Sequence, residues 1–248
     1  DLKTCGKTGF NGFFLVMFHR KAISFVQMSW RSTKRAWSII GAVGIPAAGT
    51  NIIVPVATFA AVSIIGITLS EADVAAFTVA SRAELISVGL LYALSACIGA
   101  ITGRNGGAGN TDRVRETFRV CYWICVIWST LLAAIMAVFA QEIAGFFTKD
   151  AVLIEKIVPY FYIVPLTIFA YGFVFISAAG LNALGRPVYG LIYTIIRSLV
   201  LYVGLVGLGV YLGGLTGAFW GMAVANIISG FIAILWTMTK VPMTATQS

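Results

Sequence analysis

The sequence predicts an all-α, polytopic transmembrane helix bundle with six full crossings and a partial helix at the N-terminus. Three observations carry this. Of 248 residues, 59% are hydrophobic and 10% charged. The mean hydropathy is +0.94. The apolar stretches run on for about twenty residues or more, the length an α-helix needs to span a hydrocarbon slab of roughly 30 Å. A soluble domain of this size needs more polar surface, and a membrane barrel needs alternating segments of about ten residues.

The first apolar stretch, Gly9 to Phe18 (GFNGFFLVMF), is about half a crossing long and reads as the tail of a helix that begins upstream. It is too short and wrongly flanked for a signal peptide. The first full crossing runs from about Ala36 to Leu69, and Pro46 and Pro55 inside it predict a kinked or locally unwound helix. The second covers Val74 to Thr102, the third Phe118 to Ala140 and the fourth Ile157 to Leu184, where Pro165 predicts a similar irregularity. The fifth covers Val188 to Leu212 and the sixth Leu215 to Thr239. Between the third and fourth, Gln141 to Lys156 reads as a short interfacial helix anchored by Phe146 and Phe147. Residues 1–35 are thus partial helix and connector, 36–240 a six-helix lobe, and 241–248 a tail.

Charge orients the lobe. The connector from His19 to Arg35 holds five basic residues and no acid, and it reads as a headgroup-level amphipathic segment, with Phe25 and Trp30, or as a solvated loop. The Thr102 to Arg119 connection, on the same side, adds Arg104, Arg113, Arg115 and Arg119, and Arg186 and Lys240 make eleven. The opposite side has four: Lys3, Lys7, Lys149 and Lys156. The bias puts the connector and the C-terminus in the cytoplasm of a multi-pass plasma or inner membrane protein. It also accounts for the net charge of +8 without nucleic acid.

The glycines at 103, 106, 107 and 109 resemble a phosphate loop only superficially. They follow a membrane helix rather than a strand, and no Gly-Lys-Ser/Thr comes after them. They are expected to end the second crossing and turn the chain. Gly213, Gly214, Gly217 and Gly221 form a stripe suited to close helix packing.

Three ionisable groups stay inside the spans: Arg82, Glu84 and Arg197. Glu84 lies roughly 15 Å below the outer end of its helix and Arg197 roughly 15 Å above the inner end of its own, so both reach mid-membrane. Charges at that depth need partners or an aqueous cavity. Arg82 and Glu84, two positions apart, point away from each other, so Glu84 is expected to pair with Arg197. Two readings follow: an ion pair that locks helices together, or a cation or proton site on a solute path. Thr50, Asn51, Tyr92, Tyr171, Asn182 and Tyr193 are candidate cavity residues, and Tyr202 and Asn226 are further polar groups in the spans. The sequence presents no nucleophile motif and no metal-spaced His or Cys, so no catalytic set, cofactor or metal is expected. Cys97, Cys121 and Cys125 read as small apolar filler.

Four passages together resemble the multidrug and toxic compound extrusion (MATE) family of transporters. GAVGIPAAGTNII, Gly41 to Ile53, is similar to the start of the family's seventh helix, and VAAFTVASRAELISV, Val74 to Val88, to the eighth with its Ala-Ser-Arg-x-Glu motif. GRNGGAGNTDRVR, Gly103 to Arg115, resembles the loop after it, and AGLNALGRP, Ala179 to Pro187, the turn between the tenth and eleventh helices. The resemblance implies an alternating-access antiporter that exports drugs or other amphipathic or cationic solutes against a proton or sodium gradient. This chain would be its C-terminal lobe, packed against an N-terminal lobe of six helices. The family's proton-linked aspartate belongs to that other lobe. Neither the first nor the fourth crossing holds an acid, which argues for proton over sodium coupling. Only Arg82 and Glu84 match a family motif. The alternatives are a lipid-linked precursor flippase of related architecture, which would want several basic residues in its cavity, and a non-transporting membrane interaction module.

Overall fold

The computed structural model describes residues 30–240. The partial helix at Gly9 to Phe18, most of the connector and the tail at 241–248 lie outside the described residues. The chain divides into two compact units, Asp1–Ala42 and Val43–Ser248. The described part of the first is helical and exposes Trp30, Trp37 and Ile40.

Helix α1 spans Trp30–Thr68 without interruption. Of the kink or unwinding expected at Pro46 and Pro55, the unwinding is absent: each proline removes one hydrogen bond without interrupting the helix. Helix α2, Glu71–Ser87, starts in a capping box. The Asp73 amide donates to Ser70 Oγ at 3.4 Å and the Ser70 amide donates back to the Asp73 carboxylate at 3.2 Å, which satisfies two of the orphan donors at a helix start.

The second crossing, one apolar stretch from Glu71 to Gly107, carries a discontinuity at Val88. α2 stops at Val88 and α3 runs Gly89–Gly107. The indole Nε1 of Trp128 donates to the Ser87 carbonyl at 3.1 Å, giving a partner to a backbone group at the discontinuity. α3 also extends past the expected end at Thr102. Gly103, Gly106 and Gly107 are helical, and the turn falls at Gly109, whose φ of 74° suits a residue without Cβ. Gly106 serves packing instead: a Cβ there would meet Leu184 Cδ2 at 2.4 Å. Arg104, Arg113, Arg115 and Arg119 are all exposed around this turn.

Helix α4 covers Thr111–Val138 and α5 Ala140–Phe147. The interfacial segment expected over Gln141 to Lys156 is split, because Thr148 is extended and Asp150 caps a new helix by accepting from the Val152 amide at 2.9 Å. That helix, α6, is Ala151–Ile163. At Pro165 the chain tightens into a 3₁₀ turn, Pro165–Thr167, before α7, Ile168–Ala183, so the expected irregularity is present. Ser129 Oγ donates to the Pro165 carbonyl at 2.7 Å and Thr167 Oγ1 to the Val164 carbonyl at 2.8 Å. Gly185, at φ 76°, turns the chain into α8, Pro187–Ile195. A π-helical segment, Ile196–Tyr202, leads into α9, Val203–Lys240.

α9 is broken at Gly213 and Gly214, and its arms fold back on each other. A Cβ on Gly217 would meet the Gly209 carbonyl oxygen at 2.0 Å, and one on Gly221 would meet the Leu205 carbonyl oxygen at 2.2 Å. Of the expected glycine stripe, then, Gly217 and Gly221 permit backbone contact, while Gly213 and Gly214 make the bend.

Five described stretches are long and apolar enough to cross a membrane, the last being Pro187–Thr239, which contains this hairpin. One buried cluster gathers Phe77, Tyr160, Phe161 and Phe219 among small alanines. The rings of Phe77 and Phe219 stack at 6.2 Å. A second cluster joins Phe118, Tyr122, Ile168 and Phe173 around α7. Large apolar residues such as Ile67, Leu212 and Trp220 remain exposed, which a bilayer favours.

Candidate functional site

The helix irregularities meet at one place. Glu84 sits one turn before the α2–α3 discontinuity, and Arg197 lies inside the π-helical segment. Both line a hollow of about 340 Å³ with Thr58 of α1, Ser81 of α2, Tyr92 of α3 and Tyr202. A second hollow of about 340 Å³ adjoins it, sharing Tyr92, Tyr171, Arg197 and Ser198 and extending to Asn51, Ser95 and Asn182.

Arg197 is 4% exposed, yet it makes no ion pair. Among the described residues the sole ion pair joins Lys156 to Asp73, between α6 and α2. Arg197 lays its guanidinium on the Tyr171 ring, 3.3 Å from the centroid, and has the Tyr202 ring at 5.9 Å. A desolvated cation on an aromatic face gains about 2 kcal/mol. Its Nη2 donates to Asn226 Oδ1 at 3.0 Å and its Nη1 to Ser198 Oγ at 3.4 Å, while Nε is buried without a partner. Asn226 in turn donates to Thr167 Oγ1 at 3.4 Å. A polar chain thus runs from Arg197 through the second arm of α9 to the 3₁₀ turn.

The expected Glu84–Arg197 salt bridge is therefore not formed, although the two side chains line one hollow. The reason is geometric: Arg197 lies instead on the Tyr171 ring of α7 and donates to Asn226 of α9. Arg82 is exposed, as its position two residues from Glu84 requires. Tyr92, Tyr171, Asn51 and Asn182 do line the hollows. Tyr193 does not; it is buried elsewhere, its ring 5.3 Å from that of Trp236. The side chain of Thr50 lies outside the described residues. The sequence reading missed Thr58, Ser81, Ser95, Ser198 and Phe175 as lining residues, and Thr167 as a network member. Small hydroxyls in apolar helices carry no signal of their own, because most of them bond to the preceding turn.

The aromatic wall is ordered by edge-to-face contacts. Phe175 meets Tyr92 at 4.7 Å and Tyr171 at 4.9 Å between ring centroids. Gly190 of α8 makes room for Asn182, whose Oδ1 lies 2.7 Å from the position a Cβ would take and is buried without a hydrogen bond.

The profile of the family described as MatE matches residues 46–206. A relative from Shewanella oneidensis, described as an FAD transporter, is 27% identical over 220 residues, covering 89% of this chain and 48% of that protein. The crystal structure of the Vibrio cholerae MATE transporter VcmN in its bent form superposes with a TM-score of 0.84 at 23% identity, over 92% of this chain and 52% of the other. A multidrug resistance MATE family transporter of the MOP superfamily in an outward-facing conformation gives a TM-score of 0.84 at 22% identity, over 95% and 54%. The chain spans about half the length of these relatives.

Proposed function

The chain belongs to the MatE family, a family of secondary transporters of the membrane, and we propose that it is the C-terminal lobe of a cation-coupled antiporter. It exports amphipathic solutes, drugs among them, and acts with an N-terminal lobe of six helices. Helix α8, the π-helical segment and the first arm of α9 together make one crossing and the second arm of α9 makes another, which gives six, and the arginine-rich turn around Gly109 and the C-terminus face the cytoplasm.

One observation carries the reading. Glu84, an acid with no ion pair among the described residues, lines a hollow together with hydroxyl, aromatic and apolar side chains. A membrane-embedded acid held in that way can change its proton occupancy as the solute site changes its exposure, and coupled antiport requires that link. Proton coupling is favoured over sodium. Glu84 is the one acid among the residues lining this hollow, and the Arg197 cation that lines it too disfavours a bound metal cation.

A flippase for lipid-linked precursors is the weaker reading. It calls for several cavity cations, and Arg82 is exposed away from the hollows that Arg197 lines. The relative described as an FAD transporter supports transport of a discrete organic solute.

The test is counterflow in proteoliposomes carrying the full-length protein, with an imposed proton or sodium gradient. Proton-driven dye efflux that is lost in Glu84→Gln is the expected result. Efflux indifferent to either gradient would overturn antiport, and no efflux under any gradient would favour an interaction module.

A further inference from the structure

The two adjoining hollows differ in charge. Glu84 lines the first, whereas in the second, which reaches Asn182, Arg197 is the one lining residue with a formal charge among the described residues. We propose that this second hollow binds the anionic group of an aromatic solute, with Arg197 as the anion's partner. The inference rests on the reading of the cavity as a solute path.

Four features converge on this ligand. First, Arg197 is 4% exposed and has no carboxylate paired with it, so its charge is compensated only by a ring face, an amide and a hydroxyl. Buried cations are normally paired, and a phosphate or carboxylate supplied by a ligand would complete the set. Second, its Nε is a buried donor with no acceptor among the described residues, so an oxyanion that reaches the guanidinium relieves an unmet bond. Third, Tyr92, Phe175 and Tyr171 build an edge-to-face wall along the same hollow, a surface suited to a flat ring. Fourth, Asn182, which lines this hollow, has its Oδ1 packed against Gly190 with no donor among the described residues, so its amide keeps hydrogen-bonding capacity for a solute. The hollow, at about 340 Å³, has room for a fused bicyclic ring with a small anionic substituent.

Placement of the acid in the neighbouring hollow matters. An anion beside Arg197 would bring a second negative charge next to the hollow that Glu84 lines, so solute and ionised carboxylate oppose each other. Chemistry of this kind favours an aromatic phosphate or carboxylate over an aromatic amine of equal size.

The experiment uses three probes that share one ring: 1-naphthyl phosphate, 1-naphthol and 1-naphthylmethylammonium. Binding to the full-length protein in lipid nanodiscs is measured by calorimetry, with empty nanodiscs subtracted and no gradient applied. The phosphate is expected to bind at least about tenfold more tightly than either other probe, as a charge-assisted hydrogen bond warrants. In Arg197→Gln that preference collapses while naphthol affinity stays, and in Arg197→Lys much of it returns. Ser95→Asp, which leaves Arg197 untouched and adds an acid to the same hollow, lowers phosphate affinity without lowering that of the ammonium. Tighter binding of the ammonium than of the phosphate by the unaltered protein overturns the proposal, as does an undiminished phosphate preference in Ser95→Asp. These results are independent of the gradient-driven efflux assay, so charge selectivity and antiport can each fail alone.

Discussion

Arg197 and Asn226 meet across two helices, Nη2 donating to Oδ1 at 3.0 Å, with both side chains almost fully buried. Removing the acceptor strands a desolvated charge. Asn226→Leu is therefore expected to cost about 1–3 kcal/mol of stability, the penalty for a buried group left unmade. Asn226→Asp keeps an acceptor in place and gives Arg197 a charged partner, so it should retain most of that stability. Chemical denaturation of the two variants in detergent distinguishes the outcomes. Equal losses would show that the amide's size, rather than its oxygen, is what matters.

The turn at Gly109 reports topology. Ala108 is exposed beside it, and Lys149 is exposed at the Thr148–Asp150 connection that the alternation of crossings puts on the opposite membrane face. In a cysteine-free background, Ala108→Cys should react with a membrane-impermeant maleimide only in inverted vesicles, and Lys149→Cys only in right-side-out cells. The reverse pattern would overturn the orientation drawn from the arginines.

Asp73 has two roles at the start of α2. It completes the capping box with Ser70 and accepts from Lys156 of α6. Lys156→Ala removes only a partly exposed ion pair and should cost under about 1 kcal/mol. Asp73→Ala also removes the reciprocal bond to the Ser70 amide, adding about 1 kcal/mol. A double-mutant cycle read by thermal unfolding at low and high salt gives the pair's coupling, which should shrink with salt while the capping contribution persists.

These predictions draw on features of very different legibility. Glu84 and Arg197 stand out in sequence because charges are rare in apolar helices, and matching depth placed them in one cavity. Direct pairing did not follow, since depth says nothing about rotation, and rotation near Arg197 is reset by the π-helical segment at Ile196–Tyr202. No proline or glycine run marks that segment. The α2–α3 discontinuity is similarly hidden: Trp128, forty-one residues away, supplies its indole to Ser87. Pro165 was legible because the loss of an N–H is a property of the residue itself. Pro46 and Pro55 carry the same chemistry without breaking α1, so a proline predicts a missing bond more safely than a missing turn.

The α9 hairpin separates two uses of glycine and gives the sharpest contrast. Gly213 has a negative φ, −150° with ψ 23°, and nothing lies within 4 Å of an added Cβ, so Gly213→Ala should cost less than the same change at its neighbour. Its neighbour Gly214 has equal space but φ 60° with ψ −141°, a conformation almost closed to L-residues, so Gly214→Ala should cost about 1–3 kcal/mol through backbone strain alone. Gly217 is different again. Its dihedrals are helical, but a Cβ would press to 2.0 Å from the Gly209 carbonyl oxygen, and no rotamer relieves a clash with backbone. Gly217→Ala must push the arms apart, at a cost of about 1–3 kcal/mol from overpacking, and Gly217→Val should cost more. Thermal unfolding in detergent reads the difference: Gly217→Val should lower the midpoint clearly more than Gly213→Ala does. Equal midpoints in both would mean that the arms do not depend on Gly217 for their contact.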